Sequence, residues 1–522
     1  MAASSPYDTL NDEQKTAFDF LLRGDNVALL GPAGVGKSYL LSVIDSEFPG
    51  MSRRLELARA SHAPHAEHTS HKLPRIQMCA LTGCAALLLG HKAKTLHSWA
   101  GIGLGKGTVQ ELYTKIRRNR KVLQHWLLTD LLVIDEVSML TAELLDKLNE
   151  LGKKIRGSRS AFGGLQVLLV GDFFQLPPVN RSDEPTRFAF ESLAWKEGIS
   201  VCIELTQIQR QKEVGFQTIM KEARMGQLSM ESCAILRARE GLDWRKNKIK
   251  PTLLFPRRAE VELINESNLK ALKGKRETYK ARLAYDGKMP AGFVESDEGF
   301  QQALTRFDTD AAYTVQLELV LDSQVMLIAN VDPGAGLVNG SRGVLVGFCA
   351  ATNLPIVEFV NGIRRAIGTH SWPIEDYPFV SRTQIPLRLA WAVTTHKCQG
   401  SSLDCALVDI GSGNFEYGQA YVALSRARTL EGLFVHDFDP AAFRAHPTVK
   451  GFYKGLVGTQ ASPHPSTDVK MGAQMSKEER DTIRRLSMTI PPSPDVKEVR
   501  SEKSRAVVAV NVVKEEAEPG SP

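Results

Sequence analysis

Cysteine is scarce and scattered. Its seven residues, Cys79, Cys84, Cys202, Cys233, Cys349, Cys398 and Cys405, are odd in number and form no C-x-x-C pair. That excludes a disulfide framework or a zinc cluster and suits a reducing compartment. Long apolar runs are also missing. The longest weakly polar stretch, Met78 to Gly90, has 13 residues and is broken by Thr82 and Gly83, short of the roughly 20 that a bilayer span needs. No transmembrane helix is expected. Neither sign of charge dominates: 65 Lys and Arg against 59 Asp and Glu leave +6, compatible with a polyanionic partner but common without one. The opening MAASSPYDTLNDEQ holds no apolar core and no arginine, so neither a secretory signal nor a transit peptide is expected.

The 522 residues, 43% of them hydrophobic and 24% charged, suffice for three or four folding units at about 150 residues each. Short apolar runs, Val27–Leu30, Arg75–Leu81, Leu131–Ile134 and Val167–Val170, alternate with helix-length segments such as Leu144–Arg156. This reads as βα repeats on a parallel sheet covered on both faces. Beyond Val320 the texture shifts to short strands and turns, QVMLIAN, RGVLVGF and IVEFVNGIRR with its Asn361-Gly362 hairpin signal. A small β-barrel inserted in a second α/β domain is expected, with that domain resuming near Ile385. Two segments read as poorly ordered: the polar insertion 49–73, with His62, His65, His68 and His71, and the tail 459–522, where ten basic and ten acidic residues cancel. The histidines are better read as a solvated loop than as a metal site, because Pro64 interrupts them and no cysteine joins them.

The strand Val27–Leu30 runs into Gly31-Pro32-Ala33-Gly34-Val35-Gly36-Lys37-Ser38, the phosphate-cradling loop in its strand–loop–helix context. Backbone N–H groups and the following helix N-terminus face phosphate oxygens, Lys37 reaches the β/γ-phosphates, and Ser38 ligates Mg2+. Leu131–Ile134 ends in Asp135-Glu136. Asp135 would hold the metal through its water shell, and Glu136 would polarise the attacking water, which favours hydrolysis over mere binding. The strand in VLLVGDFFQLPPV presents Asp172 and Gln175, with Gln175 placed to sense the γ-phosphate. Transition-state charge calls for arginine, and Arg210 in QIQRQ and Arg426 in YVALSRA are the candidates.

The ordered series LNDEQ, GPAGVGKS, TLHSWAGIGLG, VIDEVSML, FGGLQVLLVGDFFQLPPV, LVNGSRG, LAWAVTTHKCQGSSL and GQAYVALSRA resembles the Pif-type (petite integration frequency) DNA helicases, eukaryotic relatives of bacterial RecD, over roughly residues 8–455. Asp146–Gln166 is similar to that group's signature. The resemblance implies an α/β fold of two RecA-like P-loop domains with parallel sheets. The first, 1–205, would carry a small wedge insertion at about 102–129, and the second, 206–458, an SH3-like β-barrel at about 286–384. ATP would lie in the cleft and single-stranded DNA across the top. Gln14 would read the adenine, and Arg210 and Arg426 would reach in from the second domain. Gln209 departs from the family, standing where an aromatic residue usually precedes the arginine.

For DNA, the resemblance implies strand contacts from Thr95, His97 and Ser98 and coupling to ATP through His396, Lys397 and Gln399. Short hydroxyl, imidazole and ammonium groups suit phosphate contacts that do not read sequence. The basic run Lys115, Arg117, Arg118, Arg120, Lys121 before Trp126 resembles the wedge and could equally be a solvated helix face. The implied activity is ATP-dependent 5′→3′ movement on single-stranded DNA and unwinding of duplex, extending to G-quadruplexes or RNA–DNA hybrids, in replication, recombination, repair or telomere maintenance. The protein would act mostly as a monomer at single-stranded DNA and duplex junctions. Two other readings are a nucleotide-gated DNA clamp that does not hydrolyse and a RecD-like motor subunit of a recombination complex. The tail motifs RRLS and VKEE point to a nucleus, with mitochondrion or cytosol as alternatives.

Overall fold

The computed structural model describes residues 5–61, 73–89, 93–103, 105–178, 187–244, 250–285, 289, 292–311, 313–332, 335–337, 339–374, 377–458 and 470–471. The four histidines of the 49–73 insertion and nearly all of the tail lie outside them. Among the described residues no helix is long and apolar enough to cross a membrane, and Cys79, Cys202, Cys233, Cys349, Cys398 and Cys405 form no disulfide.

The first lobe is built on β1 (Val27–Leu30), β2 (Ile76–Ala80), β3 (Lys94–Thr95), β4 (Leu131–Asp135), β5 (Gln166–Gly171) and β6 (Val201–Glu204). They lie parallel in the order β6-β1-β5-β4-β2-β3. Alternate residues serve two cores. Val27, Leu29, Val133, Leu168 and Val170 join one cluster, while Ala28, Leu30, Ile134, Val167 and Leu169 join the other with Trp99 and Trp126. Burial on both faces is why these strands read as unbroken apolar runs.

The second lobe opens with β7 (Thr252–Phe255) and then receives a β-rich insertion: β8 (Arg276–Lys280), β9 (Arg282–Tyr285), β10 (Gln316–Val320), β11 (Gln324–Leu327), β12 (Arg342–Phe348), β13 (Pro355–Phe359), β14 (Arg364–Ala366), β15 (His370–Ile374), β16 (Tyr377–Gln384) and β17 (Leu387–Leu389). The lobe resumes with β18 (Ala392–Thr394), β19 (Ala406–Ile410) and β20 (Leu433–Phe438), giving a parallel sheet in the order β18-β7-β19-β20. The insertion therefore spans Arg276 to Leu389, wider than the expected 286–384, because the charged strand RETYK pairs with β10 although it lacks an apolar alternation. Its five-stranded sheet, β14-β13-β12-β11-β17, is fastened to the lobe by the buried Arg342, whose guanidinium donates to Thr252 Oγ1 (2.8 Å) and to the carbonyls of Cys405 and Lys250 (both 2.7 Å).

Three further expectations change. Pro49–Ser61 is not loop: the helix Lys37–Ser61 runs through Pro49. A proline inside a helix costs about 3 kcal/mol, but Phe48, Met51 and Leu55 fall at helical spacing and bury in the first lobe's core, which offsets it. The last helix, Pro447–Gly458, belongs to the first lobe's core rather than to the second lobe, with Val449, Tyr453 and Leu456 buried beside Trp195 and Phe173 and Phe452 stacked on Phe190 at 4.2 Å. Within the tail, Lys470–Met471 forms β21, parallel to β6. The helices Val109–Arg118 and Arg120–Leu128 form a hairpin whose Leu112, Ile116 and Trp126 face the core, while Lys115, Arg117, Arg118, Arg120 and Lys121 are exposed.

A chain ending at residue 446 should therefore lose most soluble, folded protein, whereas one ending at 458 should melt as the full chain does in differential scanning fluorimetry. Equal melting of both would mean that the final helix contributes no core.

Candidate active site

Strand ends and the turns after them assemble the site. After β1 the P-loop wraps back on itself, and in this arrangement Lys37 Nζ donates to the carbonyls of Gly31 (2.6 Å) and Pro32 (2.9 Å). Gly34, at φ +85°, could carry no side chain, since a Cβ there would fall 2.7 Å from Arg210 Cβ. Gln14 is buried at the first turn of the helix Asp12–Arg23. Its Oε1 accepts the Asn11 N–H, and its Nε2 donates to Gly36 O at 3.2 Å, placing the amide against the loop.

At the end of β4, Asp135 Oδ1 accepts the Glu136 N–H at 2.8 Å. Glu136 sits in the left-handed region at φ 58°, a strained conformation for a residue with a Cβ and one typical of functional turns. Burial and the neighbouring Glu136 carboxylate push the Asp135 carboxyl up to about 7. Burial pulls the Lys37 ammonium down, while Asp172, Glu136 and Asp135 oppose the shift.

The lobes meet directly over these acids. Gln399, buried in the turn that follows β18, donates from Nε2 to Glu136 Oε2 (2.9 Å) and to Gln175 Oε1 (3.4 Å). The structure thus brings Gln399 to the nucleotide side and not to an exposed DNA-facing position. His396 is partly buried next to it and Lys397 is exposed, and burial lowers the His396 pKa. Thr95 accepts the Ser98 N–H and so caps the short helix Leu96–Ala100, and burial lowers the His97 pKa.

Arg426 is 2% exposed. Its guanidinium donates to the carbonyls of Val422 (2.9 Å), Ser401 (3.1 Å) and Cys398 (3.4 Å) and to Ser425 Oγ. Arg210 corrects an expectation. It lies on the connection after β6 rather than in the opposite lobe: its N–H donates to Gly34 O at 3.0 Å and its guanidinium to Ser425 O at 2.9 Å. The N–H of Gln209 holds the same Gly34 carbonyl at 2.8 Å, so the backbone anchors this segment where an aromatic side chain was expected to. Burial and the nearby Arg426 depress the Arg210 pKa. Arg426, buried, and Arg210, partly buried, donate to neutral acceptors, with the Glu136 carboxylate near enough to act on Arg426, and two guanidinium groups close together favour an anion between them.

A network that the motifs did not assign lies behind the P-loop. Asp172, fully buried, receives Arg224 Nε at 3.1 Å and NH2 at 2.9 Å, Tyr421 OH at 3.2 Å and Tyr453 OH at 3.4 Å. Arg224 comes from the second-lobe helix Val214–Met225 and also pairs with Glu204 at 2.9 Å. The sequence sign was slight: one arginine beside Phe216, Ile219, Met220 and Ala223, which form the buried face of its helix.

The raised Asp135 pKa has a consequence for stability. Its folded value lies above its unfolded one, so the folded state holds the proton more tightly, and the carboxyl's contribution to stability falls as pH rises from about 4 to 7. Asp135→Asn should raise the melting temperature of the nucleotide-free protein by a few degrees at pH 8, by about half as much at pH 5.5, and leave it nearly unchanged at about pH 4. A variant that melts lower at pH 8 would show that Asp135 is not electrostatically strained.

Residues 70–234 match the family model for the PIF1-like helicase, and residues 306–348 match that for the DNA helicase Pif1 2B domain. The chain is 36% identical over 462 residues to the ATP-dependent DNA helicase PIF1 of Xenopus laevis, covering 88% of this chain and 66% of the relative, just under two thirds of its length. The crystal structure of Pif1 helicase from Candida albicans is similar with a TM-score of 0.66 and 34% identity, over 86% of this chain and 99% of that one. Pif1 helicase from Bacteroides in complex with ADP-AlF3 and single-stranded DNA is similar with a TM-score of 0.59 and 25% identity, over 87% and 98%. With two parallel-sheet lobes, a P-loop, a β-rich insertion and this extent of likeness, the chain belongs to the PIF1-like helicase family.

Proposed function

We propose that this chain is an ATP-hydrolysing motor that travels 5′→3′ on single-stranded DNA and opens duplex ahead of it. The observation that carries the reading is the Gln399 bridge. The acid placed to activate water, Glu136, and the γ-phosphate sensor, Gln175, are both bonded to one amide from the segment TTHKCQG of the other lobe. A strand that moves this segment changes the hydrolytic centre directly.

The P-loop N–H groups and Lys37 would bind the phosphates, with Gln14 at the base side. Ser38 and Asp135 offer the hard oxygen donors that magnesium takes, and an acid raised to about 7 by burial and a neighbouring carboxylate is one that a cation would return to its ionised form. The donor set therefore fits Mg2+, which would neutralise charge on the phosphates. Glu136 would accept the proton of the attacking water, and Arg426 and Arg210 would meet the charge that spreads over the γ-phosphoryl oxygens. Thr95, His97, Ser98, His396 and Lys397 would follow the strand's phosphates across the top of the lobes. The exposed basic faces of the hairpin 109–128 would meet the duplex. A clamp without turnover would have no need of Glu136 in a strained turn, and the Bacteroides relative held together with ADP-AlF3 and single-stranded DNA supports joint binding of both ligands.

Phosphate release should require magnesium and rise about tenfold or more with a single-stranded oligonucleotide. Glu136→Gln should keep ATP bound while turnover falls by about 10² or more, the scale of a positioned general base. Equal rates with and without DNA would remove the coupling, and normal turnover in Glu136→Gln would remove the base. For direction, a partial duplex with a 5′ single-stranded tail should be unwound and one with only a 3′ tail should not, both binding more weakly as salt rises. Preferential opening of the 3′-tailed substrate would reverse the assigned direction and leave the hydrolytic reading standing.

A further inference from the structure

We propose that the Tyr421 hydroxyl is a positioning group for Arg426, tying the turn that carries this arginine to the P-loop and, through Asp172, to Arg224. The inference rests on the hydrolytic reading above. Tyr421 is 1% exposed, and its oxygen makes two bonds that cross between lobes: it accepts the Ala33 N–H at 3.0 Å and donates to Asp172 Oδ2 at 3.2 Å. Burial and the Asp172 charge raise its pKa, so the phenol stays protonated and remains a donor.

From this anchor to the arginine is little more than one helical turn. Tyr421 lies in the helix Gln419–Leu424, Ser425 N–H donates back to Tyr421 O at 2.9 Å, and Arg426 Nε donates to Val422 O, the residue after the tyrosine, at 2.9 Å. The turn is fixed from the other side as well, because Arg210 donates to Ser425 O at 2.9 Å. The far end of the relay is rigid too. Arg224 grips both Asp172 oxygens while its guanidinium lies 4.6 Å from the Phe174 ring centroid and 4.8 Å from that of Tyr453. The seat of Arg426 is thereby defined relative to the P-loop, against which the nucleotide would lie. Groups meeting transition-state charge lose their effect when displaced by fractions of an ångström to an ångström.

A phenylalanine would fill the same core volume, so the hydroxyl can be tested by itself. In steady-state ATP hydrolysis by the full chain with saturating single-stranded oligonucleotide, Tyr421→Phe should lower kcat about tenfold with KM for ATP within about threefold. Because the hydroxyl acts through Arg426, Tyr421→Phe combined with Arg426→Ala should be no more than about twofold slower than Arg426→Ala alone. A kcat within twofold of the unvaried chain, or a tenfold loss that persists in the Arg426→Ala background, overturns the proposal. Should Tyr421→Phe not fold, Arg224→Lys takes its place, since an ammonium keeps the charge but cannot span both Asp172 oxygens. The same kcat-selective loss is expected, and unchanged turnover overturns the proposal. An unvaried chain that releases no phosphate overturns the hydrolytic reading and the proposal with it, whereas a hydrolysing chain indifferent to Tyr421→Phe overturns the proposal alone.

Discussion

The ion pair between Asp172 and Arg224 is the constraint on which the arrangement of the two lobes depends. Its carboxylate is fully buried and its guanidinium nearly so. A lone charge in either place would be untenable, and removing one partner of such a pair typically costs about 3–5 kcal/mol. The pair is tolerable because every polar edge is used. Asp172 takes Arg224, Tyr421 and Tyr453, and Arg224 also reaches Glu204. These residues come from the turn after β5, the strand β6, the second-lobe helices 214–225 and 419–424, and the final helix. Satisfying one buried charge therefore fixes five separated pieces of chain at one point.

Charge in the candidate cleft has a different character, since Lys37 feels Asp135 and Glu136, and Arg426 feels Glu136, at a distance rather than through a bonded pair. Asp135 and Glu136 stand side by side, and burial with the Glu136 charge raises the Asp135 pKa, while the buried Arg426 and the partly buried Arg210 donate to neutral acceptors. Each half carries an electrostatic demand that a phosphate with its cation would meet. The completed network lies behind the P-loop and the incomplete one in front of it. A cleft built this way would hold its shape without ligand, because the scaffold charges are already matched in a bonded pair and those facing the cleft are not.

What the sequence made legible follows from how local each feature is. The P-loop and the Asp135-Glu136 turn are contiguous segments set by a buried strand and its end, so their residues could be placed without tertiary information. The role of Gln399 could not be placed this way, because its two partners are 263 and 224 residues away. The connection after β6 ran the same risk: family position suggested that Arg210 reaches across, whereas two backbone bonds to Gly34 O hold its segment on the P-loop side. The helix 447–458 was assigned to the wrong lobe because chain order usually predicts neighbourhood, and nothing in TVKGFYKGL says which core its aromatic face will meet. Pro49 misled for the reverse reason, as a strong local breaker overruled by Phe48, Met51 and Leu55 at core spacing.

The seat of the last helix in the first lobe's core has a mechanical meaning. With that helix in the first lobe, the chain crosses between lobes twice, once after β6 and again after β20. The crossings meet: Arg224 pairs with Glu204 at the end of β6, and a Cβ on Gly226, two residues further on, would fall 2.7 Å from Ala445 N on the second crossing. Two covalent crossings joined by a buried ion pair resist separation far more than rotation, so a turn about this line is the relative motion that the connection opposes least. Gln399 and Glu136 belong to opposite lobes and are joined by a single amide-to-carboxylate contact at the cleft. That contact is a single neutral donor on one carboxylate oxygen, whereas Asp172 and Arg224 are held by several charged bonds. The geometry therefore sets a many-bonded buried ion pair at the crossings apart from a lone amide contact at the cleft, and the two ends of the lobe interface differ accordingly in how firmly they are held.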